Sequence, residues 1–416
     1  MTAIVIFIAV VLVYALVSRR LSKTAVSAPM VFVAAGMIFG SPVLSLIEIK
    51  LDFEIVLVIG EIALALTLFN DAARMNLAKM RGSSALPVRM LGIGLPLTIV
   101  AGTGLAMFLF AEISIFEAAI VGTVLAPTDA GLGKKVVNSP RIPIRIRQTL
   151  NIEAGLNDGI AVPFLLVFIT LAEAETIVEP VDIWRTFATE IGFGLLIGVA
   201  VGLIGGLLAH GALKRDWVTK TYESLFFPSL AIIAFLAADL IGGSGFIAAF
   251  AGGLVIAQLF GHVGEKLVGF IEAEGQLVNL GVFFIFGTIA VSVLKDIAFP
   301  QVIYAVLSLT LIRMLPVAIS LIGKHLRRGT VLFLGWFGPR GLASIVLGLI
   351  VVEEIPQIPG LEQIQLIVVT TVLFSVFAHG ASANRLITAY SHHTKTMSDE
   401  AREKETAAEL PTRAKD

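Results

Sequence analysis

The chain is a succession of apolar runs, each close to the length at which a helix crosses a bilayer. They fall at about 2–18, 26–40, 53–70, 87–110, 114–131, 147–171, 186–209, 223–240, 245–260, 275–293, 300–322, 330–351 and 363–388, or about thirteen spans of the ~20 residues a helical crossing needs. In hydrocarbon only helices and closed barrels satisfy their own backbone, and runs this long read as helices. Composition agrees: 57% of residues are hydrophobic and 15% charged, against about 25% charged in a soluble domain. The expected fold class is therefore an all-α polytopic membrane protein with one transmembrane domain over residues 1–390 and a polar tail over 391–416. Residues 262–280 read either as interfacial or as an extension of the tenth span.

Other features narrow the functional classes. Cysteine is absent, which removes disulfides, thiolate chemistry and Cys-ligated metals. Net charge is −1, which offers no field for nucleic acid. Met1 to Ser18 lacks a charged leading region and an A-x-A site, so it reads as a retained first span. Numbering loops alternately from the first span places almost all lysines and arginines outside the spans in one set. The other set holds only Lys50, Arg185 and Lys295. By the positive-inside rule the N-terminus lies outside and the C-terminus in the cytoplasm. With no targeting element, a plasma membrane is expected. The tail reads as flexible or as a short fraying helix.

The polar residues inside the spans carry the function. Glu153 and Asn157 share a helix face at a spacing of four. Asp158 lies about 100° further round and still lines the same side. Asp129 follows Pro127 in Ala126-Pro127-Thr128-Asp129-Ala130-Gly131, where proline and glycine weaken the helix. Carboxylates persist in hydrocarbon where they do ion or proton work, and Asp158 reads that way foremost. Arg340 is the mirror case, in Gly338-Pro339-Arg340-Gly341, and Arg313 stands near Pro316. Each buried arginine needs an acid, and Glu153 and Asp129 are the candidates.

Interrupted helices in corresponding positions of two halves point to an inverted-repeat transporter. Here the fifth and twelfth spans carry the breaks, seven spans apart. Blander readings hold elsewhere. Asp129 could cap a half-helix. Glu54 and Glu61 read as structural or interfacial, Asp239 as solvated or capping and His379 as a packing residue. Gly242-Gly243-Ser244-Gly245 lacks the lysine of a phosphate loop and reads as a turn.

At these residues the chain resembles the cation:proton antiporter superfamily, in its NhaP-like sodium/proton branch. The matching elements are Ala126-Pro127-Thr128-Asp129-Ala130, Glu153-Ala154-Gly155-Leu156-Asn157-Asp158-Gly159, Gly243-Ser244-Gly245-Phe246-Ile247-Ala248-Ala249-Phe250, Phe284-Ile285-Phe286-Gly287, Gly338-Pro339-Arg340-Gly341 and Ala378-His379-Gly380-Ala381-Ser382. They come in family order across nearly the whole chain. Ala154 departs from the serine that some relatives place there. The resemblance implies thirteen helices in an inverted-repeat fold with unwound, crossing fifth and twelfth helices. It implies core spans at about 87–171 and 300–388, dimerisation spans at about 2–70 and 223–293, a linker span at about 186–209, and a homodimer in the lipid bilayer. It assigns Asp158 as the shared sodium and proton site, with Thr128, Asp129, Glu153 and Asn157 around it, Na⁺ held by Asp158 and Thr128, and Arg340 paired with Glu153.

The expected activity is antiport of a monovalent cation (Na⁺, with Li⁺ as a further substrate) against H⁺, without enzymatic chemistry or a cofactor. Asn157 cannot titrate, so one-for-one electroneutral exchange is expected. A K⁺/H⁺ exchanger is the runner-up. A passive channel would need a filter motif that the chain lacks. An intramembrane aspartyl protease would use Asp129 and Asp158, in sequence surroundings unlike these.

Overall fold

The computed structural model describes residues 2–47, 53–75, 85–176, 183–219, 222, 225–259, 261–398 and 400–405. Loop charges such as Lys50, Lys79, Arg81 and Lys220, and tail residues 406–416, lie outside them. Among the described residues the architecture is helical, with one isolated bridge between Gly40 and Ile47.

The helices follow the hydropathy. The first three spans are α1 Thr2–Leu21, α2 Ala28–Phe39 and α3 Phe53–Ala73. The fourth, α4, runs over Ala85–Leu109 with one π-helical turn at Met90–Gly94. The fifth is broken: α5 Ile115–Val124 ends, the backbone runs irregularly, and a short α6 Lys134–Val137 follows. Then come α7 Ile144–Thr176, α8 Ile183–Lys214, α9 Phe226–Asp239, α10 Gly245–Leu259 and α11 Gly261–Val293. Residues 262–274 thus continue the tenth span as helix. The eleventh span, α12, runs over Phe299–Ser320 with a π turn at Ser308–Ile312. The twelfth is broken into α13 Arg328–Trp336 and α14 Leu342–Glu354, and α15 Leu361–Lys395 ends the set.

Two stretches therefore share one plan. Each has a helix with a π turn, then a broken helix, then a helix of more than thirty residues. π turns cluster at functional sites, and the second one places Arg313 as the next residue after its end.

Close packing explains much of the glycine. Gly194, Gly198 and Gly202 of α8 lie on the backbone of Ser244, just before α10, and of Ala248 and Gly252 within it, so that a Cβ at Gly202 would come within 2.7 Å of Gly252 O. Small residues at a repeat of four let backbones approach, which drives association where lipid is as apolar as leucine. Large apolar side chains such as Leu12, Phe108, Leu208 and Ile322 face outward, as expected beside lipid. The turn at Gly242 has φ +75°, and the N–H of Gly243 reaches back to Ala238 O at 2.9 Å, closing α9. The glycine run is thus the expected turn, and Asp239 is exposed.

Candidate functional site

The two broken spans cross. The N–H of Asp129 donates to Pro339 O at 2.7 Å, joining the breaks through their backbones. Each break leaves helix ends with unpaired groups, and side chains from the opposite break complete them. Asp129 Oδ2 accepts the N–H of Leu342, the first residue of α14, at 2.7 Å. Its Oδ1 accepts the N–H groups of Gly131 and Leu132 at 2.6 and 3.1 Å. In return, Arg340 Nε donates to Leu125 O at the end of α5 at 2.6 Å, and Ser344 Oγ donates to Val124 O at 2.8 Å. Arg340 Nη1 also donates to Gly338 O. A carboxylate thus meets a helix start and a guanidinium a helix end, the arrangement the helix dipole favours. Gly341 is glycine because a Cβ there would run into the Asp129 carboxylate.

The expected pairing of Arg340 with Glu153 is corrected. Arg313 takes that place: its Nη1 and Nη2 donate to Glu153 Oε1 and Oε2 at 2.7 and 2.9 Å. Arg340, 0% exposed, serves backbone carbonyls instead. The pairing is physically sensible, because the fork of a guanidinium matches both oxygens of one carboxylate. Both partners are buried, where an unmatched charge would be costly.

Behind the crossing runs a short chain of bonds. Asn157 Nδ2 donates to Thr128 Oγ1 at 2.6 Å and approaches Thr128 O at 3.5 Å. Thr128 Oγ1 donates to Glu153 Oε2 at 3.5 Å. Asn157 thus bonds the unwound segment, as expected from its side chain. Its Oδ1 is buried without a hydrogen-bond partner among the described residues.

A cavity of about 630 Å³ reaches this region. Among the described residues two carboxylates line it, Asp158 and Asp129, with Thr67 and Asn70 of α3 and Asn279 of α11. Its other lining residues include Arg19, Lys134 and Lys135, so it extends towards the basic end of the molecule. Asp158 itself is 7% exposed. Thr128, Glu153, Asn157, Arg313 and Arg340 do not line the cavity and stand behind it. The structure therefore brings all seven expected residues into one neighbourhood but puts only the two aspartates on the cavity wall.

Sequence reasoning missed several participants. Asn70 and Thr67 look like ordinary polar residues near a helix end. Ser375 accepts the N–H of Arg340 at 2.6 Å, and one turn later His379 Nε2 lies 3.0 Å from Trp336 O. His379 thus braces the end of α13, consistent with a packing role. The capping box of Ser114 and Glu117 was legible as S-x-x-E; Glu117 Oε1 also accepts the N–H of Gly360 at 2.8 Å.

An all-helical bundle with two crossed, interrupted helices over an acid-lined cavity defines an inverted-repeat secondary transporter fold. The family model described as "Sodium/hydrogen exchanger, transmembrane" matches residues 6–389, and the chain belongs to that family. Among its relatives is the K(+)/H(+) antiporter NhaP2 of Shewanella baltica (strain OS223), 24% identical over 375 residues, which are 88% of this chain and 63% of the relative. The K(+)/H(+) antiporter NhaP of Alkalimonas amylolytica is 27% identical over 331 residues, 77% of this chain and 55% of the relative. The chain thus spans less than two thirds of the length of these relatives. In fold it is similar to the sodium proton antiporter MjNhaP1 of Methanocaldococcus jannaschii at pH 8, with a TM-score of 0.76 at 20% identity, covering 94% of this chain and 99% of that one.

Proposed function

We propose that the chain is an antiporter that exchanges a monovalent cation, Na⁺ in the first place, for H⁺, one for one, at Asp158. The observation that carries this is the division of labour among the acids. Glu153 is committed to Arg313 through both oxygens. Asp129 gives its oxygens to three backbone amides. Asp158 stands on the cavity wall, where an arriving ion reaches it.

A carboxylate there is neutralised by a proton or by a cation, and not by both. The ionised, empty state is costly inside the membrane, so only loaded states move across, which enforces exchange. Asn157 adds no second titrating group beside Asp158, which favours electroneutral stoichiometry. Its open Oδ1 is an acceptor that a cation or a water would satisfy.

By the positive-inside rule the cavity's basic end faces the cytoplasm, so this conformation is the inward-open one, with the N-terminus outside a plasma membrane. The crossing and its flanking helices, about 87–171 and 300–388, form the moving core. Spans 2–70 and 223–293 form the fixed scaffold and dimer face, linked through 186–209. The outward apolar face of α1, with Ile4, Ile8, Leu12 and Leu16 exposed, supports a partner copy or lipid there. The second reading is K⁺/H⁺ exchange, favoured by the names of the NhaP2 and NhaP relatives.

The test is reconstitution of the full chain in proteoliposomes with an internal pH dye, pulses of Na⁺, Li⁺ or K⁺, and the membrane potential clamped at several values. Cation-driven pH change that ignores potential supports the reading, and the ion ranking decides the substrate. Substantial exchange by Asp158→Asn would sink it.

A further inference from the structure

Glu403 lies beyond the last span, in a turn at Arg402–Lys404, yet it is only 1% exposed. Its Oε1 accepts the N–H of Arg327 at 2.7 Å and the hydroxyl of Thr330 at 3.0 Å. Arg327 is the residue that opens α13, and its own side chain makes no capping bond. A helix start needs acceptors for its first amides, and here the acceptor comes from 76 residues downstream. Thr330, having given its proton to Glu403, takes the hydroxyl proton of Tyr390, 3.0 Å away. The Tyr390 ring stacks on Phe333 of the same half-helix at 4.1 Å.

The same turn grips a second helix. Arg145, in the first turn of α7, donates to Arg402 O and to the Glu405 carboxylate. The helix that begins there carries Glu153, Asn157 and Asp158, and α13 leads into Gly338–Gly341. The strap therefore touches the first turns of both helices that deliver the site. With nine residues, α13 is too short to hold itself by helix propensity. The nine residues span about 13 Å, and the break at Gly338–Gly341 follows directly from the helix end at Trp336, so a shift of its start is passed towards the crossing.

We infer that residues 402–405 form a strap that sets the geometry of the transport site, with Glu403 as its positioning residue. Capping by Glu403 holds α13, α13 holds Pro339 O against the N–H of Asp129, and that bond places the crossing beside Asp158. The kinetic consequence rests on the antiport reading; the structural one does not.

The test uses the full chain with Glu403→Ala and Glu403→Gln, read by hydrogen exchange and by cation-driven flux in proteoliposomes. The expected result for Glu403→Ala is exchange roughly fivefold faster, the size of a lost cap. It extends from residues 327–336 to the N–H of Leu342 at the crossing, and the cation KM rises by a similar factor with Vmax changed less. Glu403→Gln keeps an acceptor oxygen and stays near wild type in both readouts. Faster exchange confined to 327–330, with Leu342 and KM unchanged, would overturn the inference, because the strap would then be a local cap only. If the wild-type chain moves no cation, the antiport reading fails, and exchange at Leu342 still decides the strap.

Discussion

The guanidinium of Arg313 holds both carboxylate oxygens of Glu153, at 2.7 and 2.9 Å, with both residues buried. Removing one partner strands the other. Arg313→Leu should cost about 3–5 kcal/mol and show as a large fall in melting temperature in detergent. Arg313→Leu combined with Glu153→Leu should recover most of that loss. A double variant as unstable as the single one would mean that the pair is not the unit described here.

Asn157 donates to Thr128 Oγ1 and carries no charge. Asn157→Asp puts a second titrating group one residue from Asp158. Exchange by this variant should become dependent on membrane potential in clamped proteoliposomes. Potential-independent flux would mean that residue 157 does not set the stoichiometry.

Asp129 caps α14 and its own turn together. Asparagine keeps one acceptor oxygen and loses the other. Asp129→Asn should therefore lower stability by roughly 1 kcal/mol, the usual worth of a cap, while cation exchange persists at reduced rate. Complete loss of exchange with unchanged melting temperature would make Asp129 an ion carrier instead.

Acid should reach the strap late. The hydrogen bond from Arg402 holds the Glu405 carboxyl below the usual carboxylate range, and the charge of Arg145 adds to this. A depressed value means that the contact contributes stability above the ordinary glutamate pKa of about 4.3 and loses it as pH falls through the lower value. Protection from hydrogen exchange in the first turn of α7, with the intrinsic pH dependence of exchange divided out, should thus stay constant from neutral pH down to about 4.3 and fall only below it. Glu405→Gln should show the faster exchange already at neutral pH.

Much of this architecture was legible in the residues because the bilayer leaves few options. The spans follow apolar length, and both breaks follow Pro127 and Gly338-Pro339. Asp158 stood out as a carboxylate in hydrocarbon. What stayed hidden depends on side-chain reach. Arg313 and Arg340 are equivalent from sequence, each a lone cation near a proline, and only the π turn at Ser308–Ile312, which has no sequence mark, precedes the one that meets Glu153. Asp129 as cap and Asp129 as ligand likewise look the same until Leu342 is placed. The turn at 402–404 read as part of a flexible tail because one buried glutamate among many charges leaves no periodic signal.

The crossing also has a history in time. Asp129 waits for an amide 213 residues further along the chain, and the carbonyl of Leu125 waits for a guanidinium 215 residues away. A ribosome delivers the first break to the bilayer well before the second exists. At about 5–20 residues per second that interval is on the order of ten to forty seconds. Through it, the half-helix ends of the fifth span must lean on water, lipid headgroups or the insertion machinery. The newborn protein is thus most exposed to misassembly midway through its synthesis, and the arrival of the twelfth span is the moment at which the site becomes whole.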